Sequence, residues 1–144
     1  MRLLGLDVGE RRIGVAISDL NGLLAFPLCI LQCQEKGKDM DEVARLVAEN
    51  SAYGVVVGLP RSLSGETGPQ AEKVLAFVVN LKGRVTVPVY TYDERLSTVA
   101  AHRHSQNTGS GGRRKVKRPV RKHLDADAAA IILQGYLDWQ RGTS

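Results

Sequence analysis

No apolar run in this sequence is long enough to span a bilayer as a helix, so a helical membrane protein is not expected. The opening residues also lack the unbroken apolar core of a signal peptide, because Asp7, Glu10 and Arg11-Arg12 interrupt it. Cysteine is scarce. Cys29 and Cys33 share one strand-like stretch, with no second Cys or His pair at zinc-ligand spacing around them. They read as buried free thiols in a reducing cytosol, and a cytoplasmic protein is the expectation. His102 and His104 lie two apart, a spacing at which a helix would not let them chelate one ion. Acid is missing from residues 109–123, where Arg113, Arg114, Lys115, Lys117, Arg118, Arg121 and Lys122 crowd together. Without those seven cations the net charge of +5 would be −2, so the basic character is local.

What is present points to an α/β protein. The 144 residues suit one domain over 1–144, carrying a basic Gly-rich loop at about 107–122. Two apolar runs, Leu3 to Val8 and Ile13 to Ser18, flank Gly9-Glu10-Arg11-Arg12 and predict a hairpin with a loop of about four residues. Leu23–Gln34 reads as a third strand, with Pro27 marking an edge or a bulge. Asp39 and Glu42 form a capping-box pattern before a helix whose stripe is Met40, Val43, Ala44, Val47 and Ala48. The valine-rich Tyr53–Gly58 reads as a buried parallel strand. A helix near Pro69 follows, with inner face Ala71, Val74, Leu75, Val78 and Leu81 and Gly83 as C-cap. Val85–Tyr92 is the next strand, starting properly after Pro88, and a helix around Val99–Ser105 is capped by Ser97 or Thr98. The last helix turns Leu124, Ala128, Ile131, Ile132 and Tyr136 inward and carries Trp139 near its end.

Three acidic positions stand out. Asp7 interrupts an apolar strand and shares a face with Leu3 and Gly5. A carboxylate in a core strand needs donors, a cation or a metal to offset its desolvation, although bonding to the Gly9 turn would also suffice. Asp93 and Glu94 end the fifth strand and alternate in direction while it persists; Asp125 and Asp127 open the last helix. Either pair would equally suit a helix dipole. Together, Asp7, Glu94 and Asp125 would suit two-metal phosphodiester cleavage with Mg²⁺ or Mn²⁺, hard cations that prefer oxygen ligands. Asp127 is the reserve ligand.

Phosphate contacts are expected from the basic loop through Arg113, Arg114, Lys115 and Lys117, the alternative being a solvated loop that binds nothing. Arg11, Arg12, Arg61, Ser64 and Arg95 are further candidates, although Arg61 to Ser64 would also suit an ordinary lead into a helix.

Gly5-Leu-Asp-Val-Gly9 with Arg12-Ile-Gly-Val-Ala16, Val57-Gly-Leu-Pro60 with Gly65, Asp93-Glu-Arg-Leu-Ser-Thr98, and Asp125-x-x-Ala-Ala-x-Ile-Ile-Leu133 occur in this order. Together they resemble the bacterial YqgF/RuvX family, relatives of Holliday-junction resolvases within the ribonuclease H-like fold. The resemblance spans nearly the whole chain, and Asp93–Thr98 is its most specific block. It implies a five-stranded mixed sheet, three antiparallel strands first, flanked by helices. It also implies a nuclease whose catalytic carboxylates fall on Asp7, Glu94 and Asp125. The glycine- and arginine-rich stretch 109–122 is longer than the family's usual loop, which bears on substrate preference. The family is linked to maturation of the 5′ end of pre-16S ribosomal RNA and to junction resolution; RNA is favoured here, with a four-way DNA junction as alternative. No dedicated dimer surface is legible, so a monomer or weak homodimer is expected. A non-catalytic nucleic-acid-binding module would lack a carboxylate, and all three are present. An actin-like or sugar-kinase-like ATPase, suggested by Asp7-x-Gly9, needs two domains and more chain than this.

Overall fold

The computed structural model describes residues 1–33, 37–60, 68–93 and 121–142, and side chains in the last stretch from Ala126 onward. Five strands, β1 (Arg2–Val8), β2 (Arg12–Ser18), β3 (Ala25–Gln32), β4 (Ala52–Leu59) and β5 (Val89–Asp93), form one sheet in the order β3-β2-β1-β4-β5. β1, β2 and β3 pair antiparallel as a meander, whereas β4 pairs parallel with both β1 and β5. The three helices are α1 (Lys38–Glu49), α2 (Pro69–Lys82) and α3 (Arg121–Gln140). This is the mixed sheet expected from the sequence. The anticipated helix at 99–105 and residues 107–120 of the basic loop lie outside the described residues; Arg121 and Lys122 instead open α3, which therefore starts earlier than expected and carries Asp125 in its second turn.

Strand alternation divides the core in two. Leu4, Leu6, Ile13, Val15, Val55 and Val57 face Val43, Leu46 and Val47 of α1 and Val74, Phe77 and Leu81 of α2. Leu3, Ala16, Val56 and Tyr92 face Ala129, Ile132, Leu133 and Tyr136 of α3. Burying each large aliphatic side chain contributes roughly 1.5–3 kcal/mol, so the α1/α2 side supplies most of the driving force. α3 compensates by coming closer. A Cβ added at Gly5 would stand 2.7 Å from the Leu133 Cβ and 3.2 Å from the Ala129 carbonyl oxygen, so only glycine fits beneath this helix.

Local details differ from the sequence pattern. The first turn is shorter than expected, residues 9–11, and is closed by the Gly9 N–H donating to the Arg12 carbonyl at 2.9 Å. Pro27 does lie on the edge strand, beside a register shift between Val15 and Ala16. α1 begins at Lys38 behind Gly37, whose φ of 76° turns the chain into the helix early, and no side chain caps it. Asp39 is therefore already helical, accepts only the Met40 N–H (2.9 Å) among the described bonds, and Glu42 pairs with Arg45 rather than closing a capping box. In α1 Leu46 is buried and Ala48 exposed. In α2 Phe77 takes the inner position expected of Leu75, which is exposed. Positions 74, 77, 78 and 81 form one continuous helical stripe, and Leu75 falls on its flank. Gly83 does end α2, but with an ordinary right-handed φ of −82°.

Candidate active site at the strand ends

Because β1, β4 and β5 run parallel, their carboxyl ends share one edge of the sheet. Asp7 lies there, one residue before the end of β1, and is 8% exposed. It sits on the α3 face with Leu3 and Gly5, as alternation predicts. Register carries the level across the sheet: Leu6 pairs with Val57, Val57 with Thr91, and Leu59 with Asp93. β1 and β5 are separated by β4 alone, two strand spacings or about 10 Å of backbone. On β5, Val89 packs on the α1/α2 side and Tyr92 on the α3 side. Asp93 therefore falls on the face opposite Asp7. Glu94, the next residue, lies outside the described residues.

α3 approaches from its own direction. Gln134 donates to the Leu23 carbonyl (2.8 Å) and accepts from the Ala25 N–H (2.9 Å), and Arg141 donates to the Gly22 carbonyl (3.3 Å). These contacts fix the C-terminal half of α3 beside the start of β3, which pairs with the end of β2 next to the start of β1. The helix thus runs opposite to β1. Ala129 stands over Gly5; Asp125 is one turn earlier, about 6 Å along the axis, and Asp7 is two residues later, about 7 Å along the strand. The two steps lead to the same end of the molecule, so the backbone of residue 125 is level with Asp7. Asp127, by contrast, is exposed, on the far side of the helix from buried Ala129.

Other candidates divide by place. Arg11, exposed, and Arg12, half-buried, occupy the β1–β2 turn at this same edge. Arg61, Ser64, Arg95, Arg113, Arg114, Lys115 and Lys117 lie outside the described residues. Among the described residues no group of three His, Cys, Asp or Glu side chains could hold a metal ion; the proposed set draws Glu94 and Asp125 from elsewhere.

Two neighbours of the edge carry no signal in the sequence. Gln70, in the first turn of α2, donates to the Val8 carbonyl at 3.4 Å and ties that helix to the end of β1. Cys33 follows β3 and brings its Sγ to 3.8 Å from the Gly9 carbonyl. Burial, followed by the nearby Asp39 charge, pushes the Cys33 thiol pKa up, so it is protonated at neutral pH and is a poor nucleophile. Burial raises the Tyr92 phenol likewise, with Asp138 and Asp93 adding to it. The chemistry available at this edge is that of carboxylate oxygen and arginine.

A family model described as RuvX, Holliday junction resolvase, matches residues 1–139. A protein of Desulforudis audaxviator named "Putative pre-16S rRNA nuclease" is 44% identical over 138 residues, 96% of this chain and 94% of that one. A protein of Desulforamulus reducens with the same name is 45% identical over 139 residues, covering 96% and 97%. Among solved structures, Thermus thermophilus RuvC in complex with Holliday junction substrate superposes with a TM-score of 0.56 at 21% identity, covering 99% of this chain and 97% of that one. The Fowlpox virus resolvase with Holliday junction DNA gives 0.55 at 12% identity, covering 97% and 99%. At such identities these two establish the common fold. Among the described residues no helix is long and apolar enough to cross a membrane. Sequence, topology and these matches agree, and the chain belongs to the RuvX family of nucleases, built on the ribonuclease H-like fold.

Proposed function

We propose that the chain is a divalent-metal-dependent nuclease that cuts single-stranded RNA, of the kind found at the 5′ end of pre-16S ribosomal RNA, and works in the cytoplasm as a one-domain enzyme, a monomer or weak homodimer. The observation that carries this reading is the common level of Asp7 and the backbone of residue 125, in the second turn of α3, at the carboxyl edge of the sheet. Asp7, Glu94 and Asp125 are the proposed ligands. The donor set fits a hard cation: the described groups at the edge offer carboxylate oxygen, and the one nearby thiol is held protonated. When bound, Mg²⁺ or Mn²⁺, as a pair, supplies an acidified water and compensates charge on the leaving oxygen.

The protein's own part is positional. β1 holds the Asp7 carboxylate away from bulk water, which strengthens its attraction for cations. The opposite facing of Asp93 favours Glu94 as the ligand from β5, and the exposure of Asp127 favours Asp125 over its neighbour. Arg11 and Arg12, at the same edge as Asp7, are the proposed phosphate contacts there, with the cations of the basic loop proposed as further ones. Neutralising Arg113, Arg114, Lys115 and Lys117 should weaken binding and reduce the log–log salt slope by roughly 0.7–0.9 per lost phosphate contact, with turnover at saturation retained.

The second reading is resolution of four-way DNA junctions, favoured by the description of the matching family model. The ligand set is tested by comparing cleavage by Asp125→Asn and Asp127→Asn. The first should lose activity far more than the second, and the reverse order would move the ligand to Asp127.

A further inference from the structure

All four tyrosines and the only tryptophan of the chain gather at the β5 side of the sheet, on the face covered by α3. Tyr90 stacks on Tyr136 with ring centroids 5.7 Å apart and planes 23° from parallel. Tyr92 meets Tyr136 edge-on at 6.1 Å, and Trp139 leans on it at 5.8 Å. Tyr53 is the extra residue where the β1–β4 register passes from Ala52 to Gly54. Its neighbour Gly54 lies against Tyr90, whose Cε2 would be 3.1 Å from a Cβ there, and burial, then the Tyr90 and Tyr53 phenols, push the Tyr136 pKa up.

The group is built with its anchors inside and its largest ring outside. Tyr92 and Tyr136 are each 5% exposed, and the Tyr92 hydroxyl lies 2.9 Å from where a Cβ on Gly135 would stand. Tyr53 and Tyr90 are 37% exposed and Trp139 is 53% exposed. The tryptophan, the ring with the most apolar area, is the most exposed of the group. Buried Tyr136 packs against the exposed rings of Tyr90 and Trp139. Rigid, exposed rings are what unpaired bases stack upon.

Position and composition decide between partners. Tyr92 immediately precedes Asp93 at the carboxyl edge, and Trp139 lies fourteen positions beyond Asp125, about 21 Å along α3. The row of rings therefore starts at the nuclease edge and leads away from it. Arg2, whose register partner is Ala52, lies beside it. The opposite edge of the sheet exposes mostly aliphatic side chains, Leu20, Leu23, Leu24 and Leu28, with Phe26 beside them, a composition suited to protein contact. The large apolar side chains exposed in the β5 group are aromatic.

We propose that Tyr53, Tyr90 and Trp139 form a stacking platform for unpaired bases of the substrate strand beyond the phosphate being cut. The proposal rests on the reading of this chain as a nuclease of single-stranded RNA and adds a subsite to it. Trp139 is the sole tryptophan, so its fluorescence reports the platform alone. In metal-free buffer, where nothing is cut, a short single-stranded oligoadenylate should quench it saturably, and a blunt RNA duplex should not. Trp139→Leu and Tyr90→Leu, with melting temperatures checked, should each weaken binding of labelled oligoadenylate roughly 5- to 150-fold, the range expected for one lost base stack. Trp139→Phe should restore most of the affinity, which a purely packing role would not require. Absent quenching, or equal affinity of Trp139→Leu and wild type, would overturn the platform. So would a fluorescence change that follows protein concentration without RNA, since that would make the patch a contact between copies. Quenching with no cleavage after Mg²⁺ is restored would sink the nuclease reading while leaving the platform in place.

Discussion

Leu6 and Asp7 are neighbours on β1, yet Leu6 is sealed beneath α1 and α2 while Asp7 lies on the α3 face. The first face is packed with branched aliphatic side chains from two helices and three central strands. The second gives up side-chain volume: Gly5 has no room for a Cβ, and Ala128 and Ala129 face the sheet. What that face gains is proximity, with α3 close enough to bring the backbone of residue 125, in its second turn, level with Asp7. The proposed site and the denser apolar packing thus lie on opposite sides of the same strand.

The sharpest way to break this comparison is to alter the two neighbours separately. Asp7→Asn should lower the cleavage rate on the order of 10³-fold, as expected when a two-metal site loses one ligand, with the fold intact. Leu6→Ala should do the opposite, costing about 2–5 kcal/mol of stability while leaving the rate per folded molecule near normal. Kinetics and denaturant melts on both variants check the pair; an unfolded Asp7→Asn with an inactive but stable Leu6→Ala would dissolve the distinction.

Metal linkage should follow the same division. At one hundred times its dissociation constant, a cation binding only the native state adds about 2.7 kcal/mol, visible as a higher melting temperature. Wild type and Leu6→Val should show the rise and Asp7→Asn should show much less of it. A smaller effect is expected from Gly5→Ala, roughly 1–3 kcal/mol, because the new methyl must displace Leu133. Since α3 must move to admit it, turnover should fall as well, which a melt combined with a rate measurement would reveal. A Gly5→Ala protein with unchanged melting and turnover would show that the close approach is not needed.

The smallest effect concerns Asp19, at the β2–β3 turn and far from the proposed chemistry. The N–H groups of Leu23 (2.8 Å) and Leu24 (3.2 Å) donate to its carboxylate, and the Leu23 bond is the main reason its pKa lies below the ordinary 3.8. A depressed folded-state pKa contributes stability above the unfolded value that is lost as pH falls through the folded one. The melting-temperature gap between wild type and Asp19→Ala should therefore be constant near neutrality and shrink only below about pH 4. A gap that persisted unchanged into strong acid would contradict this.

Much of the molecule was legible in the chain because its elements are locally marked. Alternation placed Asp7 opposite Leu6, Pro27 marked the edge strand, and the valine run at β4 announced a buried parallel strand. Helix faces were less legible where two phases were nearly equivalent, as with Leu75 and Phe77, because the deciding partner is the sheet rather than the helix. The α1 cap was misplaced because Asp39 and Glu42 satisfy a local pattern that Gly37 overrides by turning the chain earlier. Long-range neighbours left no trace at all. Gln70 beside Val8, Cys33 beside Gly9, and tyrosines from β4, β5 and α3 around one ring meet only after the sheet forms.

If the carboxyl edge holding Asp7 cuts single-stranded RNA with divalent metal, substrate and metal should both be decisive for cleavage. The most direct measurement offers the purified chain a labelled RNA with a pre-16S 5′ extension and, at equal concentration, a four-way DNA junction, each with Mg²⁺, Mn²⁺ or EDTA, while light scattering gives the mass in solution. The predicted result is a monomer or weak homodimer that cleaves the RNA only with metal and no longer does so as Asp7→Asn. A stable dimer making paired, symmetric cuts in the junction while leaving the RNA whole would contradict it.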